Sequence, residues 1–210
     1  DQDNRSQERL RAEMPHMALQ FDDMERIIRG AIGAGVTVVF SAGNGERAFP
    51  ASMPEVIAVG GMTWTETGDL VASTLAGSYE SQLYPGRQVP DLCGIVGEGG
   101  PYPRKGHIML PTSRASVLEG ENLPLGKTTL GWAITSGTSS AAPQVAGLVA
   151  LLLEVNPNLK PDEVGAILRN TARGLASQRT GAGLIDGDAA CRMALMWEGG
   201  CRDTGLSARQ

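Results

Sequence analysis

The chain has 210 residues, of which 41% are hydrophobic and 20% charged, with 28 glycines, the make-up of an ordinary globular domain rather than a disordered or fibrous chain. Its 18 basic and 23 acidic residues leave a net charge of -5 without long single-sign runs, so nothing steers it toward nucleic acid or an anionic membrane. No apolar stretch is expected to reach the roughly 18 to 20 residues that span a bilayer; the longest run is Val145 to Val155.

Residues 1–17, rich in Asp, Gln, Arg and Glu and containing Pro15, read as a polar arm or loop that is no secretory signal. From Ala18, the positions Leu19, Phe21, Met24, Ile27, Ile28 and Ile32 recur at helical spacing and stop at Gly33 and Gly35. The β-branched run Val36 to Phe40 follows as a buried strand, and Val56 to Gly60 as a second. Helix alternating with buried strand predicts an α/β fold on a parallel sheet.

Between Leu83 and Leu125 the chain is rich in Pro and Gly, with short strands predicted at Gln88 to Cys93 and Gly106 to Leu110. Leu130 to Ile134 is predicted to return as the hairpin partner of the latter, across a long loop from Pro111 to Lys127. Ala141 to Val155 predicts a helix apolar on all sides, as at the centre of a domain. Asn156, Pro157 and Asn158 end it. Pro161, Asp162 and Glu163 then open a helix running to about Ala172.

Cys93, Cys191 and Cys201 are an odd number without C-x-x-C spacing, which argues against a zinc site or a disulfide framework. Cys191 with Cys201 is the one pairing that chain position suggests, and three free thiols the simpler reading. Gly120 to Thr128 has one residue too many for a phosphate loop. Gly30, Gly33 and Gly35 follow a helix and precede a strand, the reverse of a dinucleotide-binding turn.

Two segments carry chemistry. Gly137, Thr138, Ser139 and Ser140 precede the apolar helix, with Pro143 expected in its first turn; a hydroxyl there sits at the positive end of the helix dipole, or else merely caps the helix. Ser41, Ala42, Gly43, Asn44 and Gly45 end the first strand, where an amide can donate to a developing oxyanion and where Gly-Asn-Gly is also a plain turn signal.

Taken together, Gly137-Thr138-Ser139-Ser140-Ala141-Ala142-Pro143, with Val145-Ala146-Gly147 after it, resembles the Gly-Thr-Ser-x-Ala-x-Pro element of the subtilisin-like serine proteases. Val36 to Asn44 resembles that family's oxyanion strand. Phe49-Pro50-Ala51 with Val56 to Gly60 resembles the next strand, and Gly181 to Asp186 its closing segment. Pro90-Asp91-Leu92 also fits, but Cys93-Gly94-Ile95-Val96-Gly97 stands where the family has Ala-Pro-Gly, and the chain carries an insertion after Leu110.

The resemblance implies a subtilisin-like fold, a parallel sheet flanked by helices, over residues 18–195 with a tail at 196–210, and with the N-terminal part of the domain missing. It implies Ser139 as nucleophile, Asn44 as oxyanion donor, and Ser41, Ala42, Gly43 and Ala48 as the lining of the pocket for the side chain before the scissile bond. It also implies a protein or peptide substrate, secretion, no cofactor in the chemistry and a structural calcium ion as an option. The acid and base are absent in recognisable form: the only histidines, His16 and His107, lack the family's His-Gly-Thr-His context. Peptide-bond hydrolysis, with acid and base supplied by a missing N-terminal half, is therefore set against a non-catalytic homologue that serves as a binding module. The missing half should leave apolar surface beside the sheet.

Overall fold

Helix α1 (Pro15–Gly33) begins the part of the chain that the computed structural model describes, residues 15–97, 108–113, 131–174 and 176–197. Residues 15–17 thus belong to a helix rather than to the polar arm, since proline's missing N–H has no intrahelical partner to lose in a first turn; the arm's other residues lie outside the described ones. Phe21 and Ile28 are buried and Ile32 half-buried, while Leu19, Met24 and Ile27 face outward. Phe21 meets Phe49 edge to face, the ring centroids 4.9 Å apart. At the end of α1, Gly35 donates to the Ile32 carbonyl and Val36 to that of Ala31, a paired closure that ends the helix.

That closure delays the first strand. Because the Val36 amide is committed to α1, β1 covers Val39–Ser41 rather than starting at Val36. β2 (Ile57–Trp64) outruns its predicted end at Gly60: it pairs in parallel with β1 on one side and, through Val59 to Met62, with β6 (Leu92–Ile95) on the other. Its last residues pair antiparallel with β3 (Leu70–Ala72). The predicted strand from Gln88 to Cys93 is divided, because Pro90 has no N–H to give a ladder. Gln88–Val89 (β5) pairs instead with Tyr79–Glu80 (β4), apart from β6. The predicted hairpin forms from β7 (Ile108–Pro111) and β8 (Trp132–Thr135), antiparallel, while residues 114–130 of its loop, and with them most of Gly120 to Thr128, lie outside the described ones.

Over the sheet lies α2 (Thr138–Val155), whose Val145, Leu148 and Leu152 form one core with Val59, Leu92 and Val96 and with residues of α3 (Pro161–Thr171) and α4 (Gly187–Leu195). Three expectations change here. The helix starts three residues before Ala141, so Ser139 is inside it and Pro143 falls beyond the first turn. It is not enclosed on all sides: Ala146, Ala150, Leu151 and Val155 are exposed. With the extra turn it is also 18 residues of mean hydropathy 1.3, long and apolar enough to cross a membrane by length and composition, although its packing on the sheet is that of a core helix.

α4 had no counterpart in the sequence reading. Asp186, the last residue of the expected closing segment, caps it by accepting from the Ala189 amide at 3.0 Å. Just before it, Leu184 bridges to Cys93 on one side and Arg173 on the other, extending the sheet beyond β6. Cys93 and Cys191 are free thiols, and Cys201 lies outside the described residues.

Candidate active site

The parallel order of β1 and β2 brings the chain out of β1 at the end of the sheet where α2 begins. Ala42 is still held by its amide to the Val59 carbonyl at 2.9 Å, and Asn44 follows two residues later. On the other side, Gly137 donates to the Val96 carbonyl just beyond β6. Gln144 seals the helix to β6: its Oε1 accepts from the Ile95 amide at 3.1 Å and its Nε2 donates to the Ile95 carbonyl at 2.7 Å. Gln144 is the only polar residue between Ala141 and Leu153, a signal available in the sequence though its purpose was not.

These two approaches meet. Asn44 Oδ1 accepts from the Thr138 backbone amide at 2.9 Å and from Thr138 Oγ1 at 3.1 Å, across 94 positions of chain. The planar amide then has its Nδ2 donor on the side away from Thr138. Gly137 makes the approach possible: its φ is 114°, and a Cβ there would lie 3.2 Å from Asn44 Oδ1 and 3.4 Å from Nδ2.

None of the three hydroxyls caps the helix. Gly137 is the N-cap and offers no side chain; Thr138 is turned to Asn44, and Ser140 Oγ shares a hydrogen bond of 2.9 Å with Thr135 Oγ1 of β8. Ser139 is exposed, and neither its hydroxyl nor its backbone amide has a hydrogen-bond partner among the described residues. No acidic side chain occupies the first turn of α2, so the positive end of the helix dipole is left for an incoming negative charge.

The remaining predicted residues gather at the same end. Ser41 is half-buried, Ala42 and Gly43 buried and Ala48 half-buried. A Cβ on Gly43 would lie 3.4 Å from that of Ala48. Thr138 stood out only as a possible cap and Gln144 not at all, because their partners Asn44 and Ile95 are remote in sequence. His107 lies outside the described residues, and of His16 only the backbone, in α1, is described. Among the described residues no three His, Cys, Asp or Glu side chains converge.

A cavity of about 570 Å³ lies elsewhere, between the end of α1, the start of β2 and the start of α3, lined by Ile32, Val56, Lys160, Asp162 and Arg169. It is at the opposite end of the sheet strands from Asn44 and contains none of the residues above. Its size is no guide to the chemistry.

Fold and site define an α/β protein with an exposed serine in the first turn of a core helix and a strand-end amide fastened to the residue before it. The sequence model of the Subtilase family matches residues 10–185, and the chain belongs to that family. It is 34% identical over 183 residues to the extracellular protease of Xanthomonas campestris pv. campestris, an alignment covering 82% of this chain and 26% of that protein. With the serine protease AprX of Bacillus subtilis it shares 31% identity over 157 residues, 72% of this chain and 33% of the other. The crystal structure of fervidolysin from Fervidobacterium pennivorans superposes with a TM-score of 0.59 at 28% identity, covering 77% of this chain and 23% of that one. The chain thus spans about a quarter to a third of the length of these relatives.

Proposed function

We propose that this chain supplies the nucleophile and the oxyanion hole of a serine endopeptidase. The observation that supports the reading is the Asn44–Thr138 link, which ties the strand-end amide to the residue before Ser139, the one of the three helix-start hydroxyls with no hydrogen-bond partner among the described residues. Ser139 Oγ attacks the scissile carbonyl carbon while its proton passes to a base; the C–N bond then breaks, the proton goes to the leaving amine, and water hydrolyses the resulting ester. Asn44 Nδ2 and the Ser139 backbone amide stabilise the oxyanion of each tetrahedral intermediate. Ser41, Ala42, Gly43 and Ala48 line the pocket for the side chain before the scissile bond.

The base and its orienting acid come from a polypeptide segment other than the described residues, the N-terminal half of the domain. The outer edge of β1 and the exposed face of α2, with Leu151 and Val155, are apolar surface that such a segment would cover. The substrate is a protein or peptide. One relative is named an extracellular protease, which supports secretion.

The test is labelling with a fluorophosphonate, which reacts with an activated serine. The complete protein carrying this chain should label rapidly at Ser139, and Ser139→Ala should abolish labelling and peptide cleavage together; the 210-residue chain alone, without a base, should label poorly. A complete protein that binds peptides but neither labels nor cleaves them would instead be the non-catalytic binding module.

A further inference from the structure

Tyr79 does something unusual for a half-buried phenol: its hydroxyl donates to the Ala48 carbonyl at 2.7 Å and accepts from the Ala48 amide at 3.0 Å. One side chain thereby holds both backbone groups of one residue, fixing the plane of the chain on each side of Ala48. Tyr79 is itself anchored. It pairs with Val89 across β4 and β5, and it packs against the cluster of Ala42, Ala51, Ala58 and Val89.

Two residues earlier, the Gly77 amide donates to the Gly43 carbonyl at 2.9 Å. This contact needs glycine, since a Cβ at position 77 would lie 2.7 Å from the Gly43 oxygen and 3.0 Å from that of Ala42. The short segment from Gly77 to Tyr79 therefore grips the strand end at Gly43 and the loop at Ala48 at once. Those are the two segments proposed above to line the pocket.

We infer that Tyr79, together with Gly77, is a positioning residue that sets the separation of the two pocket walls and so the discrimination among substrate side chains before the scissile bond. The inference rests on the proposed reading of Ser41 to Gly43 and Ala48 as that pocket. Tyr79 does not touch the substrate; it acts through Ala48. Removing its hydroxyl frees the Ala48 peptide to turn and leaves the catalytic serine and its amide where they are.

The experiment uses the complete protein and a series of peptides that differ only in the residue before the scissile bond, with active sites counted by a phosphonate. Tyr79→Phe should narrow the spread of kcat/KM across the series by about tenfold, on the scale of a pocket contact worth a methylene or more. The change should lie in KM, and the pH profile of kcat should keep its shape. Because kcat/KM is referred to the counted active sites, the spread is read on whatever fraction of Tyr79→Phe folds, and Gly77→Ala, which must displace the Gly43 carbonyl, should disturb the same spread. Ser78→Ala, which removes only a bond to the Gln178 carbonyl at 2.6 Å, should leave the spread unchanged. A merely structural Tyr79 would lower the melting temperature and the active fraction with the spread intact, and that result overturns the inference. If the wild-type protein cleaves none of the peptides in a Ser139-dependent way, the pocket reading falls and takes this one with it.

Discussion

The two flanks of the central sheet are built to different standards. On the β6 side the chain is held from several directions: Leu184 bridges to Cys93, and the Asp91 carboxylate takes both Arg87 nitrogens at 2.6 and 2.7 Å and the Ala58 amide at 2.7 Å. On the β1 side a three-residue, half-buried strand has no partner on its outer edge among the described residues, and Val36, Leu151 and Val155 are exposed nearby. Asn44 leaves the sheet from this weaker flank, yet it is fastened across to the Thr138 amide of α2. The contrast teaches that the candidate site does not depend on the finish of its own strand. It depends on the firm flank, through Val96, Gln144 and the start of α2.

The largest expected effect breaks the firm flank. Asp91→Ala leaves the Arg87 guanidinium, only 11% exposed, without its carboxylate; losing one partner of a buried pair costs about 3 to 5 kcal/mol. Denaturant unfolding should show this loss, and a change below about 1 kcal/mol would mean the pair merely decorates the fold.

Neighbouring leucines on α2 sharpen the same comparison. Leu152 is fully buried against the sheet and Leu151 is 52% exposed, so Leu152→Ala should cost about 2 to 5 kcal/mol, whereas Leu151→Ala should stay within about 0.5 kcal/mol. Equal losses would show that the outer face of α2 is covered after all.

Cys93 gives a smaller, pH-dependent effect. Burial pushes its thiol up to about 12 from an ordinary value of 9.0. The folded chain keeps the proton at pH values where the unfolded chain releases it, so the thiol's contribution is whole below pH 9 and declines as the pH rises from there toward 12. The slope is about 1.4 kcal/mol per pH unit. Cys93→Ala should be flatter than the parent across that window, and parallel curves would contradict the burial argument.

Much of this contrast was legible in the sequence, for local reasons. The helix stop at Gly33 to Gly35, the start at Pro161 and the serine before an apolar helix each depend on a few adjacent residues. The strand limits were less so, because β1 is shortened by a hydrogen bond spent on closing α1 and β2 is lengthened by pairing with β3 and β6. Within the site, Ser139 and Asn44 stood out as types in a pattern. The tasks of Thr138 and Tyr79 did not, since each is defined by a partner 94 or 31 positions away. The exposed apolar face of α2 agrees with the expectation of apolar surface beside the sheet, although the apolar run by itself did not say which sides find a neighbour.

The central claim is that the Asn44 amide serves the oxyanion as well as Thr138, and the two tasks use different atoms. Asn44→Asp keeps an oxygen to accept from Thr138 and loses the Nδ2 donor; Asn44→Ala loses both. Steady-state kinetics of the complete protein with each variant separates them. If Nδ2 serves the oxyanion, both variants lose kcat by about 100- to 1000-fold with KM little changed, the loss expected on removing one oxyanion donor. If Asn44→Asp keeps the parent's kcat while Asn44→Ala loses it, the residue only fastens the start of α2, and the proposed oxyanion hole is wrong.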